Sequence, residues 1–338
     1  MGTPFVDSLG RAVTYLRVSV TDRCDMRCVY CMSETMSFLP KAEILTYVEL
    51  ERLCAAFIRN GVTRLRVTGG EPLVRRDIGR FFQAMGQWLN RPGEDGHLDE
   101  LTVTTNGSRL AEHADMLARA GVRRVNISLD SLDSEKFHRI TRRGNLDLTL
   151  AGVRAARTAG LAIRINTVAM AGVNDDEFDT LLAWCGEIGA DLCLIETMPM
   201  GETGVDRSDR YLPLSEVRAA LSRRWTLEPL AERTGGPARY LRVHETGRRL
   251  GLITPMTHNF CESCNRVRLS CTGQLYPCLG DDGATDLRGA LRDGASDADL
   301  LRLVQSAILR KPKGHDFVIG RRLDDPAAIR RHMSVTGG

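Results

Sequence analysis

Short apolar runs recur along the first two thirds of the chain, and each is followed by a longer stretch with apolar positions at helical spacing. The short runs Tyr15–Thr21, Arg64–Thr68, Leu101–Thr105, Val125–Leu129, Ala162–Val168 and Leu192–Glu196 read as strands. Thr46 with Glu49 three residues on forms a capping box that opens a helix, and Gly61 stops it. Asp77 starts the next helix, two more end near Gly121 and Gly160, and Asn174 with Glu177 opens another. Strands separated by single helices predict a parallel sheet with right-handed crossovers, and six such units predict an incomplete (β/α)6 barrel. In barrels of this kind chemistry sits at the C-terminal ends of the strands. The unusual polar residues fall there: a cysteine loop, Gly69-Gly70-Glu71-Pro72, Thr104-Thr105-Asn106-Gly107 and Ser128-Leu129-Asp130.

From about residue 210 the pattern changes. A short helix over Ser215–Arg224 precedes a hairpin, Tyr240–Glu245 and Arg249–Thr254, turning at Thr246-Gly247. A second cysteine-rich segment follows, then helices near Asp286 and Asp297. The expected division is a barrel over residues 1–210 and a C-terminal α+β region over 211–338.

Composition narrows the function. The 338 residues are 43% hydrophobic, enough for a sizeable core. A net charge of +3 and 5% aromatics argue against a nucleic-acid binder, so an anion site should be local. No apolar run is long enough to cross a bilayer and the N-terminus lacks a secretory pattern, so no membrane partner and a cytoplasmic location are expected. Ten cysteines in such a setting read as metal ligands and core filler rather than disulfides. Of 46 basic residues only Lys41, Lys136, Lys311 and Lys313 are lysine, so arginine is the default cation of this chain.

Cys24, Cys28 and Cys31 form C-x3-C-x2-C, three thiolates that can wrap one soft metal centre. Residues 32–53 contain no His or Cys, so a fourth ligand for a closed Zn site is not local. Three cysteines on a four-iron cluster would leave one iron open to a ligand. The run from Arg17 through Cys24, Cys28, Tyr30 and Cys31 resembles the cluster loop of radical S-adenosylmethionine enzymes, and within them it is most similar to the GTP 3′,8-cyclases of molybdenum-cofactor synthesis. Family members more often carry Asn at position 25 and Pro at 33, where this chain has Asp25 and Ser33.

The resemblance implies that the open iron chelates S-adenosylmethionine, whose one-electron cleavage yields a 5′-deoxyadenosyl radical. It implies that Tyr30, Gly70, Ser128 and Met198 touch S-adenosylmethionine. A second triad, Cys261-x2-Cys264-x13-Cys278, matches the family's site for a second [4Fe–4S] cluster; a Zn knuckle that includes Cys271 is the alternative. Arg266 and Arg268 sit two apart, so in an extended segment both point to one face, and guanidinium groups suit phosphate oxygens. The same spacing from Tyr15 and Ser19 would turn Arg17 into the barrel.

The resemblance implies that Arg17, Arg266 and Arg268 bind GTP and support catalysis, with Arg66, Thr104, Arg164 and Val267 as further contacts. It also implies a homodimer, an electron donor of flavodoxin or ferredoxin type, product transfer to the next enzyme of the molybdopterin pathway, and a Gly337-Gly338 tail reaching the active site. A peptide-modifying radical enzyme and a non-catalytic Zn scaffold are the competing readings. Cys54, Cys185 and Cys193 sit in helix or strand patterns and read as core.

Overall fold

A computed structural model describes residues 3–337 apart from 90, 92–95, 202, 204–207, 232–234 and 319–328. The six expected strands form, as β1 (Tyr15–Ser19), β2 (Arg64–Thr68), β3 (Glu100–Thr105), β4 (Arg124–Ser128), β5 (Ala162–Ala169) and β6 (Asp191–Glu196). They pair in parallel in that order, with Leu16 beside Leu65 and Val67 beside Val103. This is the incomplete (β/α)6 barrel that the strand–helix alternation predicts.

The helices are α1 (Tyr47–Arg59), α2 (Ile78–Gly86), α3 (Leu110–Arg119), α4 (Ser134–Thr141), α5 (Leu146–Thr158) and α6 (Phe178–Ile188). Thr46 and Glu49 make the reciprocal capping box at the start of α1. One helix was expected before Gly160, and two are present. Arg142 takes a left-handed φ of 60° after α4, and the Asn145 side chain then caps α5. Asp77 does precede α2, but it sits at φ 57° and makes no side-chain cap bond.

The C-terminal region extends the sheet at both edges. After α7 (Leu214–Leu221) come β7 (Leu227–Pro229), β8 (Arg239–Val243) and β9 (Arg248–Ile253). The β8–β9 hairpin is as expected, and β9 lies parallel to β6 with Leu250 beside Leu192. Residues 254–265 then lead to β10 (Arg266–Leu269), which lies parallel to β1 at the opposite edge. β11 (Gln274–Tyr276) and β12 (Thr285–Asp286) continue that edge, followed by α8 (Leu287–Arg292), α9 (Asp297–Leu309) and α10 (Met333–Thr336).

Strand alternation divides the residues cleanly. Leu16, Val18, Leu65, Val67, Val103, Val125, Ile127, Ile165, Leu192 and Leu194 are buried with the apolar faces of the helices, including Phe57, Phe81 and Phe82. The opposite phase, Arg17, Arg66, Thr104, Asn126, Ser128, Arg164 and Asn166, faces a cavity inside the barrel. A full barrel fills its interior with branched apolar side chains. Here the inward positions of β1 to β4 and most of β5 are polar or cationic, and the interior is a chamber. Among the described residues no helix is long and apolar enough to cross a membrane.

Candidate active site

One cavity of about 260 Å³ is lined by both cysteine triads and by residues from all six barrel strands. A single water needs only about 10–15 Å³ of such space, so this is a ligand chamber rather than a packing defect. The first triad lies on the loop after β1. Its backbone is anchored by α4, through Arg27 N–H to the Thr141 carbonyl and Val29 N–H to the Ile140 carbonyl, both at 2.9 Å. Within the loop, Cys31 N–H donates to the Cys28 carbonyl at 2.9 Å and Arg27 Nη1 donates to the Cys24 carbonyl at 2.7 Å. Burial pushes the Cys28 thiol well up, and Cys31, Asp130 and Cys24 push it further, so the three thiols lie within each other's field.

The turn after β2 packs directly on this loop. Gly70 N–H donates to the Thr21 carbonyl and Glu71 N–H to the Arg23 carbonyl, both at 2.8 Å. A Cβ at position 70 would run into the Arg23 carbonyl, which explains glycine there. The fully buried Glu71 carboxyl accepts from Leu73 N–H, Thr105 Oγ1 and Asn106 N–H at 2.9, 2.8 and 2.6 Å. Burial nevertheless raises its pKa to about 7, against those hydrogen bonds. Asp25 Oδ1 accepts from Asn106 Nδ2 at 2.7 Å and its Oδ2 from Ser108 Oγ at 2.6 Å. Tyr30 donates its hydroxyl to Asp130 Oδ2 at 2.7 Å, while Val168 N–H donates to the other oxygen at 2.8 Å. Burial lifts Asp130 to about 6. Tyr30, Gly70, Ser128 and Met198 all line the chamber.

Cys261, Cys264 and Cys278 line the same chamber. Burial raises the Cys264 thiol, but Arg266 and Lys311 outweigh it and bring it down to about 7. Cys271 is fully buried outside the chamber, where Asp22, Ser19 and Arg75 are its neighbours, so it stands apart from this triad. Cys54 and Cys185 belong to the core as expected, whereas Cys193 also lines the chamber. Each triad sets three thiols around the wall of one chamber. Three thiols around such a space fit an iron–sulfur cluster by the chemistry of the donors.

Five buried arginines share the chamber with the triads. Arg17, Arg66, Arg164, Arg266 and Arg268 line the chamber and are each no more than 9% exposed. Burial, then Arg268 and Arg66, holds Arg17 well below the usual guanidinium range. Burial, Arg266 and Arg331 bring Arg268 down to about 9. Nε of Arg17 and Arg66, Nε and Nη2 of Arg164, Thr104 Oγ1 and Asn126 Oδ1 are buried without a hydrogen-bond partner. Buried donors are almost always satisfied, and clustered cations repel. An anion with several oxygens would satisfy both. Arg164 also lies over the Tyr240 ring at 5.0 Å, which fixes the plane of its guanidinium.

Val267 is the one predicted contact whose side chain misses the chamber. It sits between Arg266 and Arg268 on β10, so the period of two sends it into the core at 0% exposure. The tail does return: Arg268 Nη1 donates to the Gly337 carbonyl at 2.8 Å, and Met333 and Ser334 line the chamber. Gly338 lies outside the described residues. The sequence reading missed Arg124, Asn126, Asn166 and Lys311, all of which line the chamber. The first three are in phase with Ser128 or Arg164 on their strands, a signal that was present in the sequence.

This barrel, with a cysteine loop after its first strand and a glycine turn packed on it, defines a radical S-adenosylmethionine enzyme. Residues 18–185 match the Radical SAM superfamily, and residues 190–317 match Molybdenum Cofactor Synthesis C. The fold is shared with Streptococcus suis SuiB bound to S-adenosylmethionine, at a TM-score of 0.58 and 16% identity over 90% of this chain and 73% of that one. It is also shared with native anSMEcpe with bound AdoMet, at a TM-score of 0.61 and 13% identity over 91% of this chain and 84% of that one.

Whole-chain relatives are much nearer in sequence. A protein of Rhodopseudomonas palustris (strain TIE-1) named GTP 3′,8-cyclase is 58% identical over 335 residues, 99% of this chain and 96% of its own length. One of the same name from Sinorhizobium medicae (strain WSM419) is 60% identical over 333 residues, 98% of this chain and 94% of its own. The chain belongs to the GTP 3′,8-cyclase family.

Proposed function

We propose that this chain converts GTP to 3′,8-cyclo-7,8-dihydro-GTP at the expense of S-adenosylmethionine, the first step of molybdenum-cofactor synthesis. The observation that carries the reading is one chamber lined by two cysteine triads and five buried arginines, three of which have guanidinium nitrogens without a partner. Cys24, Cys28 and Cys31 hold one [4Fe–4S] cluster, and Cys261, Cys264 and Cys278 hold the other. With S-adenosylmethionine bound and an electron from an external donor, the first cluster would supply one-electron reductive cleavage of S-adenosylmethionine, the source of the radical that takes hydrogen from the ribose.

The protein's own residues bind, orient and exclude water. Asp130 holds the Tyr30 hydroxyl, which sets the ring beside the first triad as one wall of the S-adenosylmethionine site. Gly70, Ser128 and Met198 complete that site. Arg17, Arg66, Arg164, Arg266 and Arg268 take the triphosphate charge, with Thr104 as a hydroxyl partner; at position 267 only the backbone is available to GTP. Arg17, Arg266 and Arg268 are the catalytic set. We assign residues 1–210 to the barrel and 211–338 to the region that carries the second cluster and, with the barrel arginines, the GTP site. The protein works in the cytoplasm as a homodimer, takes electrons from a flavodoxin or ferredoxin, and passes its product to the next enzyme of the pathway.

Anaerobic turnover with GTP, S-adenosylmethionine and a strong reductant tests this. Both 5′-deoxyadenosine and a cyclised GTP should form, and both should vanish in Cys24→Ala. Formation of 5′-deoxyadenosine with GTP untouched would remove the substrate assignment and leave the class.

A further inference from the structure

Lys311 is the one buried lysine of a chain that otherwise uses arginine almost throughout, and it is 4% exposed. Its Nζ donates to the Arg266 carbonyl at 2.8 Å and to the Pro277 carbonyl at 2.6 Å. Arg266 lies two residues after Cys264, and Pro277 immediately precedes Cys278. The segment carrying Lys311 is itself fixed. Arg11, paired through Nε with Asp7 at 2.5 Å, donates from Nη2 to the Pro312 carbonyl and from Nη1 to the Cys261 carbonyl, both at 2.7 Å. The three stretches that deliver Cys261, Cys264 and Cys278 therefore meet at residues 311–312.

A buried ammonium requires a counter-charge. Among the described residues no carboxylate pairs with Lys311. The groups that feel it are thiols: burial raises Cys261, and Lys311 opposes that rise as it does for Cys264. Lys311 also lines the chamber with Arg266 and the second triad.

We propose that Lys311 is a positioning residue of the second iron–sulfur cluster, whose ammonium ties the Cys264 and Cys278 segments together and raises the cluster's reduction potential. This rests on the assignment of a cluster to Cys261, Cys264 and Cys278. Three thiolates on a four-iron core already give a net negative group, and an added electron makes it more so. A fixed cation in a buried surround stabilises the reduced form more than the oxidised one. Lysine suits the place because its compact charge donates to both carbonyls at once.

The test uses the full chain carrying Cys24→Ala, Cys28→Ala and Cys31→Ala, so that only the second triad binds iron, titrated anaerobically and followed by electron paramagnetic resonance. If this background binds no iron, the second-cluster reading fails and the inference with it. Lys311→Gln keeps donors for the two carbonyls but not the charge; Lys311→Met keeps neither. Both should weaken reduction at least tenfold, a fall in midpoint of about 59 mV for one electron. An unchanged midpoint in Lys311→Gln overturns the proposal while leaving the second cluster intact. Should both variants lose iron, Lys311→Arg decides: iron retained with the charge supports the role, and iron absent there too, in a chain with unchanged circular dichroism, overturns it.

Discussion

Asp25 shows how a residue that binds no metal can still act on one. On sequence alone its acidic side chain looks inert, because it is not a cluster ligand. In the fold its carboxylate is held by Asn106 and Ser108 with one oxygen 3.9 Å from the Cys24 sulfur. That negative charge disfavours an added electron on the first cluster. Asp25→Asn should therefore raise the first cluster's midpoint by tens of millivolts, less than about tenfold in the one-electron equilibrium, while turnover persists; a redox titration reads the shift. Glu71 makes a second residue-scale case. Its folded pKa of about 7 lies above its ordinary 4.5, so between those values the unfolded chain is ionised and the folded one protonated. Stability must fall as pH rises through that window, by on the order of 2–3 kcal/mol. Anaerobic urea unfolding between about pH 5 and 8 should show this slope in the parent and a shallower one in Glu71→Gln, where Asp130, raised to about 6, still contributes with the same sign. The glycine turn was legible in the sequence as a motif. The raised pKa of its glutamate was not, because it depends on how completely the neighbouring turns cover the carboxyl.

At the scale of elements, the barrel strands were readable because each is a short apolar run bounded by helix signals, and strands two to six were placed to within a residue. The break between α4 and α5 was missed because Arg142 and Gly144 interrupt a pattern that is apolar-periodic on both sides. β10 was legible only as an extended stretch. Its partner β1 is some 250 residues away, and no local pattern specifies a pairing of that range. Elements also reach the site through their packing. Gly152 in α5 lets the helix lie against the turn after β3, where a Cβ would meet the Gly107 carbonyl and come within 2.9 Å of Leu110 Cβ. That turn carries Asn106, whose carbonyl accepts from Thr149 Oγ1 of α5 at 3.1 Å and whose amide holds Asp25. Gly152→Ala should cost about 1–3 kcal/mol of stability by overpacking. It should also reduce iron bound by the first triad, measured as iron per chain in a variant lacking the second triad's cysteines. Loss of stability with full iron occupancy would mean that the turn relaxes without disturbing the cysteine loop.

For the whole molecule, the important fact is that residues far apart in sequence close one chamber. β9 extends the β6 edge and β10 the β1 edge, and the connection between them carries Cys261 and Cys264 across the open side of the barrel. The final described residues complete the wall. Ile329 bridges to Met200, Arg331 lies over the Tyr276 ring at 4.0 Å and donates to the Leu279 carbonyl at 2.7 Å, and Gly337 reaches Arg268. Gly337 stands at φ 71° against the Thr68 side chain, where a Cβ would have no room. A glycine is thus required at a position that a sequence reader would take for a frayed end. Its carbonyl accepts a charge-assisted hydrogen bond from a guanidinium assigned to GTP, so displacing the tail leaves Arg268 free to swing from its place. Losing such a bond costs about 1.5–3 kcal/mol, or roughly tenfold to hundredfold in kcat/KM for GTP. Gly337→Ala and deletion of residues 337–338 should both show that fall, with iron content and circular dichroism unchanged because neither cysteine triad is touched. Formation of 5′-deoxyadenosine in the absence of GTP should also persist, since the tail's described contacts are with Arg268 and Thr68 rather than with the first cysteine loop. If both variants cyclise GTP at the parental rate, the tail only fills space and Arg268 needs no partner to hold its position.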